Sequence, residues 1–314
     1  MQERTSPGGR NDPGTRPTLG RLLTAMVTPM TVAGDVDYPR AQRLARALLA
    51  SGSDGVVVAG TTGEAPTLTH GEKVGLFQAV KEALGRDGQV LAGTGTYDTR
   101  ESIDLSRVAE TTGVDGLLLT VPYYSKPPQE GLYRHFTAIA AAVDLPCVLY
   151  NIPGRTSVNM TPETIIRLAA VPNIVGVKEA SGSLDAVSQI VEEAGPEFRV
   201  WSGDDQLTLP VLAVGGYGVI CVTSHLAGRQ MKEMIEAAVG GRPDVASAIH
   251  RRLLPLMTAL MSVASNPIPV KHALNALGFP AGGLRLPLWD LDADASARLM
   301  AEVRRHQIDL PVSG

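Results

Sequence analysis

The sequence predicts an α/β fold, a (β/α)₈ TIM barrel with a C-terminal helical extension. Three observations point to it. Eight short runs rich in Val, Ile and Leu recur along the chain, and each is continuously apolar, as strands covered on both faces are. Longer helix-patterned stretches separate them, and eight such units is the number that closes a barrel. No dinucleotide fingerprint follows the first run, which argues against an open doubly wound sheet.

The strand runs are LLTAMVT (22–28), GVVVAG (55–60), VLAGTG (90–95), GLLLTV (116–121), CVLYN (147–151), IVGVKE (174–179), RVWSG (199–203) and GVICVT (218–223). Between them, 38–52 places Ala41, Leu44, Ala45 and Leu48 at helical spacing and ends at Gly52. The stretch 69–85 opens on Thr69 with Glu72 three residues on, a capping-box pattern, and closes at Gly85. A third, 161–170, starts with Thr161 as a cap and Pro162 at the first helical position. The units end near residue 240, and 241–314 is expected to be a helical region packed on the barrel (19–240). Residues 1–18, rich in Gly, Pro and Arg, read as a disordered tail without the apolar segment of a secretory signal.

The 314 residues are 44% hydrophobic, enough to build a core. The formal net charge of −4 offers no general footing for nucleic acid or an anionic membrane, and no apolar run approaches the ~18 residues of a membrane span. Cys147 and Cys221 lie in apolar runs and read as buried thiols of a reducing compartment. A cytoplasmic protein is the expectation.

Several chemistries are set aside. His70, His135, His225, His250, His272 and His306 are scattered, with no HxH, HxxH or HExxH spacing, so no metal site is expected. GTGTYD (93–98) lacks a third glycine, and nothing matches a P-loop or a GxSxG elbow. The loop after the seventh run, Gly203-Asp204-Asp205, would repel a phosphate. Cofactor-free chemistry is the simplest expectation.

Barrel enzymes carry their chemistry at the C-terminal strand ends. Those ends hold Gly60-Thr61-Thr62-Gly63-Glu64, Pro122-Tyr123-Tyr124, Tyr150-Asn151 followed by Arg155, Lys178, and Gly203-Asp204-Asp205. Lys178 stands inside an apolar strand. A buried ammonium is costly unless it is paired or loses its proton, and a neutral amine attacks carbonyls. Lys178 is therefore either a Schiff-base lysine or half of an ion pair with Glu179 or Glu64; Glu179 belongs on the opposite strand face. Tyr150 reads as a proton donor and acceptor or as a strand-end packing residue, with the Thr61 and Tyr124 hydroxyls available for a relay. Thr61-Thr62-Gly63 is a turn able to offer N–H groups to a carboxylate, or a plain βα turn. Arg155 is a bidentate carboxylate clamp or a surface salt bridge.

Five segments, GTTGE (60–64), PYYSKP (122–127), YNIPGRT (150–156), GVKEASG (176–182) and SGDD (202–205), together resemble the dihydrodipicolinate synthase/N-acetylneuraminate lyase family of pyruvate-dependent class I aldolases. The likeness runs in order from about residue 20 to NPIPVKHAL (266–274). The arginine of YNIPGRT is characteristic of the dihydrodipicolinate synthase branch and absent from the sialic acid lyase branch.

The resemblance implies roles. Lys178 forms the Schiff base with pyruvate, with no cofactor. Thr61 and Thr62 hold the pyruvate carboxylate, and the Gly203 and Ile220 carbonyls line its pocket. Thr61, Tyr150 and Tyr124 form a proton relay, Tyr124 reaching in from a neighbouring subunit, so a homo-oligomer built as a dimer of dimers is implied. Arg155 binds the carboxylate of L-aspartate 4-semialdehyde. Ala65, Pro66, His70, Lys73, Tyr97, Glu101 and Tyr123 correspond to an allosteric lysine pocket; the cation of Lys73 and the bulk of Tyr97 imply weak or absent lysine inhibition. Two other functions stay open from sequence: a sister aldolase or dehydratase acting on a 2-keto-3-deoxy sugar acid or hydroxy-oxoacid, and a non-catalytic keto-acid-binding paralogue.

Overall fold

A computed structural model describes residues 19–311. The expected tail, residues 1–18, lies outside the described residues, as do 312–314. Strands β1 (Leu22–Ala25), β2 (Gly55–Val58), β3 (Gln89–Gly93), β4 (Gly116–Thr120), β5 (Cys147–Asn151), β6 (Ile174–Glu179), β7 (Arg199–Ser202) and β8 (Gly218–Cys221) pair in parallel and in sequence order. The circle closes where Leu23 of β1 pairs with Ile220 of β8. All eight sequence-read runs are strands; four of them end two or three residues early, and the others end within one residue of the run. The residues that leave the ladder, such as Gly60-Thr61 and Val222-Thr223, are the ones that build the rim.

Helices α1 (Tyr38–Ala50), α2 (His70–Leu84), α3 (Thr99–Thr111), α4 (Gln129–Ala140), the short α5 (Pro153–Thr156), α6 (Pro162–Ala169), α7 (Leu184–Glu193), α8 (Thr208–Ala213) and α9 (Ser224–Val239) surround the barrel. The Thr69–Glu72 capping box opens α2 as its sequence requires. Thr161 does occupy the N-cap position of α6, but its hydroxyl makes no cap bond there and lies 3.4 Å from the Thr164 hydroxyl. Helices α10 (Pro243–Ser262), α11 (Ile268–Ala276) and α12 (Ala293–Val303) form the C-terminal region, with α10 packed on α9 and α12. This helical region is interrupted at 278–292 by Gly278, Pro280, Gly282, Gly283 and Pro287, because proline removes a helical donor and three of these positions supply only glycine.

Strand alternation divides the core in two. Leu23, Val57, Leu91, Leu118, Val148, Tyr150, Val175, Trp201 and Ile220 fill the barrel, while a larger layer, including Leu149 and Val177, lies between strands and helices. Trp201 closes the lower barrel, its indole N–H donating to the Gly20 carbonyl at 2.9 Å. A Cβ at Gly176 would lie 2.6 Å from this ring, so the glycine inside β6 is the space the indole needs.

Candidate active site

Lys178 pairs in register with Tyr150 on one side and Trp201 on the other, which turns all three side chains inward. Lys178 is buried, and its Nζ stands 4.3 Å from the Tyr150 ring centroid. Burial lowers its pKa to about 8; Asp205 and Cys221 oppose the shift and Arg155 adds to it. A nucleophilic fraction therefore exists near neutral pH. Glycine at 203 leaves the room: a Cβ there would come within 3.2 Å of Lys178 Cε.

Neither candidate ion pair of Lys178 is found. Glu179 faces outward, accepting from Asn151 Nδ2 at 3.0 Å and from the Ser181 N–H at 2.6 Å. Glu64 is engaged by Lys271, 2.7 Å away. The nearby carboxylate that acts on Lys178 is Asp205, whose own oxygens accept from the Thr223 N–H and hydroxyl, each at 2.6 Å, and from the Val222 N–H. Asp205 thus ties the turn after β7 to the end of β8.

Tyr150 is buried, and burial raises its pKa, with Arg155 and the Thr61 side chain acting against that rise. Thr62 is buried one residue on, its Oγ1 accepting from Asn266 Nδ2 at 2.9 Å. Arg155, exposed at the rim, donates through Nη2 to the Asn266 carbonyl at 3.1 Å. A cavity of about 210 Å³ opens over Thr61, Ile152 and Arg155 and extends to Lys73 and Tyr123. Ile220 takes its place on β8, its side chain in the inner core.

The remaining sequence candidates lie above this group. Tyr124 is 93% exposed with a φ of +73°, a left-handed conformation at the turn after β4. Among the described residues no hydrogen bond joins it to Thr61 or Tyr150. Ala65, Pro66, Lys73 and Tyr123 border the cavity, and Tyr97 packs edge-on against Tyr123 with centroids 5.2 Å apart. Lys73 is buried, its pKa lowered by desolvation and partly restored by Glu101. His70 is exposed at the start of α2 and is not part of the cavity wall.

Sequence reasoning assigned no role to Asn266, to Lys271 or to the hydrogen bonds of Asp205. NPIPVKHAL was legible as a resembling segment, but nothing in it announces contacts with residues some 200 positions earlier. His225 is fixed by two backbone groups, Nδ1 to the Val222 carbonyl at 2.8 Å and Nε2 to the Val27 N–H at 3.2 Å, which leaves no lone pair for a metal. Cys147 and Cys221 are both buried and unpaired; burial pushes the Cys147 thiol up to about 12. Among the described residues no helix is long and apolar enough to cross a membrane.

Comparison with known proteins shows the family and agrees with the barrel fold. Residues 18–306 match the Dihydrodipicolinate synthetase family. The 4-hydroxy-tetrahydrodipicolinate synthase of Dehalococcoides mccartyi is 57% identical over 294 residues, covering 94% of this chain and 99% of the relative. That of Symbiobacterium thermophilum is 59% identical over 275 residues, covering 87% and 93%. The lysine-bound enzyme structure from Cyanidioschyzon merolae superposes with a TM-score of 0.90 at 48% identity, covering 91% of this chain and 98% of the other. The pyruvate complex from Acinetobacter baumannii gives 0.89 at 36% identity, covering 94% and 100%. The chain belongs to the dihydrodipicolinate synthetase family.

Proposed function

We propose that this chain condenses pyruvate with L-aspartate 4-semialdehyde to form 4-hydroxy-tetrahydrodipicolinate, an early step toward diaminopimelate and lysine. The observation that carries the reading is the buried Lys178 amine, set 4.3 Å over the Tyr150 ring and lowered toward neutrality.

Neutral Lys178 adds to the keto carbon of pyruvate, and loss of water gives the protonated Schiff base. The iminium withdraws electrons, so a methyl proton leaves and an enamine forms. The enamine carbon attacks the aldehyde carbon of the second substrate, whose oxygen takes a proton and becomes the 4-hydroxyl. The substrate amine then attacks the iminium carbon, expels the Lys178 amine and closes the six-membered ring. The net reaction releases the one water lost at Schiff-base formation.

Tyr150 carries protons to and from these centres. Its hydroxyl is held far above neutral pH, so it serves as a donor that is promptly recharged through Thr61. Thr61 and Thr62 receive the pyruvate carboxylate, with the Gly203 and Ile220 carbonyls along the pocket wall. Arg155 orients the second carboxylate from the rim. Tyr124 completes the relay from the neighbouring protomer, which makes a dimer the smallest active unit and a dimer of dimers the assembly. Lysine itself supplies the electron sink, so no cofactor enters the scheme.

The test is product formation from pyruvate plus aspartate semialdehyde, repeated with Lys178→Ala, alongside borohydride trapping with pyruvate. The reading requires a reduced adduct on Lys178 and loss of both signals in the variant. Trapping with no condensation on aspartate semialdehyde, but turnover of a 2-keto-3-deoxy sugar acid, would move the chain to the sister aldolases.

A further inference from the structure

We propose that Asn266 is a positioning residue that sets the direction of the Thr62 hydroxyl and thereby the affinity for the keto-acid carboxylate; the inference rests on the reading of Thr62 given above. Asn266 lies in the connection between α10 and α11, 6% exposed. Its side-chain Nδ2 donates to Thr62 Oγ1 at 2.9 Å, while its main-chain carbonyl accepts from Arg155 Nη2 at 3.1 Å.

A threonine hydroxyl has one proton and two lone pairs. When an amide N–H occupies a lone pair, the proton remains to be donated elsewhere. A carboxylate only accepts, so it binds a hydroxyl whose proton faces it. Asn266 therefore presents Thr62 as a donor. An aspartate at the same place would accept the Thr62 proton, turning the hydroxyl away, and would add a negative charge beside the substrate's own.

A second observation supports a role beyond packing. The Oδ1 of Asn266 is buried without a hydrogen-bond partner among the described residues. An unpaired buried acceptor costs stability, and a serine or alanine here would avoid that cost. The Nδ2 half of the amide is what such a residue retains. The two contacts also separate by chemistry: the side chain addresses Thr62, and the backbone addresses Arg155. Side-chain substitutions leave the carbonyl in place, so they act on one substrate and spare the other.

The experiment measures kcat and both KM values for Asn266→Ala, Asn266→Asp, Thr62→Val and Thr62→Val/Asn266→Ala. Asn266→Ala raises the pyruvate KM about 10-fold, as loss of one hydrogen bond to a charged group would. Asn266→Asp raises it at least as far. The aspartate semialdehyde KM stays within about twofold and kcat within about threefold, changes below ~1 kcal/mol. In the Thr62→Val background the alanine substitution adds nothing, because the hydroxyl it oriented is gone. Should the alanine variant fail to fold, the aspartate variant, which has the same shape, carries the test.

An unchanged pyruvate KM in either Asn266 variant, a parallel rise in both KM values, or independent effects in the double variant would overturn the inference. If Thr62→Val itself leaves the pyruvate KM unchanged, the carboxylate reading of Thr62 fails, and this inference with it. Schiff-base trapping on Lys178 distinguishes that result from failure of the proposed reaction.

Discussion

Lys271 of α11 crosses the rim to Glu64 in the loop after β2, with Nζ and Oε1 2.7 Å apart and the two side chains 1% and 0% exposed. The same ammonium donates to the Gly283 carbonyl, and the other Glu64 oxygen accepts from the Arg285 N–H at 3.0 Å. Glu64 holds a φ of +58°, so this web fixes the left-handed residue that ends the Thr61-Thr62 turn. The C-terminal region thus braces the Thr61-Thr62 turn through Glu64.

Breaking that pair on one side strands a charge in the interior. Lys271→Met is expected to destabilise the protein by about 3–5 kcal/mol. Adding Glu64→Gln removes the stranded charge and recovers part of the loss. Urea unfolding of the two variants checks this; equal losses in the single and double variants would contradict it.

Schiff-base formation requires the neutral amine of Lys178. With its pKa lowered to about 8, the rate of borohydride trapping with pyruvate is expected to rise with pH and level off above a midpoint near that value. Arg155 contributes to the lowering, so Arg155→Met shifts the midpoint upward. A midpoint near the ordinary lysine value would show the amine to be solvated.

His225 is completely buried and neutral, its pKa lowered by burial to about 4 from 6.5. The unfolded chain therefore binds the extra proton between those values. Its contribution is fully present above pH 6.5 and is lost as pH falls toward 4, by about 1.4 kcal/mol per unit and about 3 kcal/mol over the window. Burial lowers His135 to about 4 as well, which acts in the same direction. Unfolding free energies between pH 7 and 5 should decline in the wild type and less steeply in His225→Asn.

Tyr124 stands exposed in the single chain, so the relay role proposed for it is tested between chains. Tyr124→Phe and Lys178→Ala are each expected to lose most activity. Mixed and reassembled together they regain it, because a site with intact Lys178 then meets a partner's Tyr124. Homogeneous variants that stay inactive on mixing, with exchange verified by mass, would place the tyrosine outside the reaction.

Lys73 puts a buried cation beside Tyr123 and near Glu101. L-Lysine is a cation, so inhibition of the wild type is expected to be absent or to need millimolar lysine. Lys73→Ala removes the like charge and should lower the inhibitory concentration about 10-fold, roughly the worth of one screened charge contact. A micromolar inhibition constant in the wild type would refute this.

Period-two alternation and apolar runs determined a great deal. They located eight strands, set Lys178 and Glu179 on opposite faces of one strand, and put Tyr150, Thr61 and Arg155 at strand ends that a barrel turns toward one mouth. These are local properties, encoded within five or six neighbouring residues. Which face looks into the barrel was decided by the closed sheet. Other features depended on closure of the barrel and docking of the C-terminal helices. Asn266 meets Thr62 across 204 positions and Lys271 meets Glu64 across 207, and no local pattern specifies such a partner. The depressed pKa of Lys178 belongs to this second group, because desolvation is a property of everything packed around an amine and not of the strand that carries it.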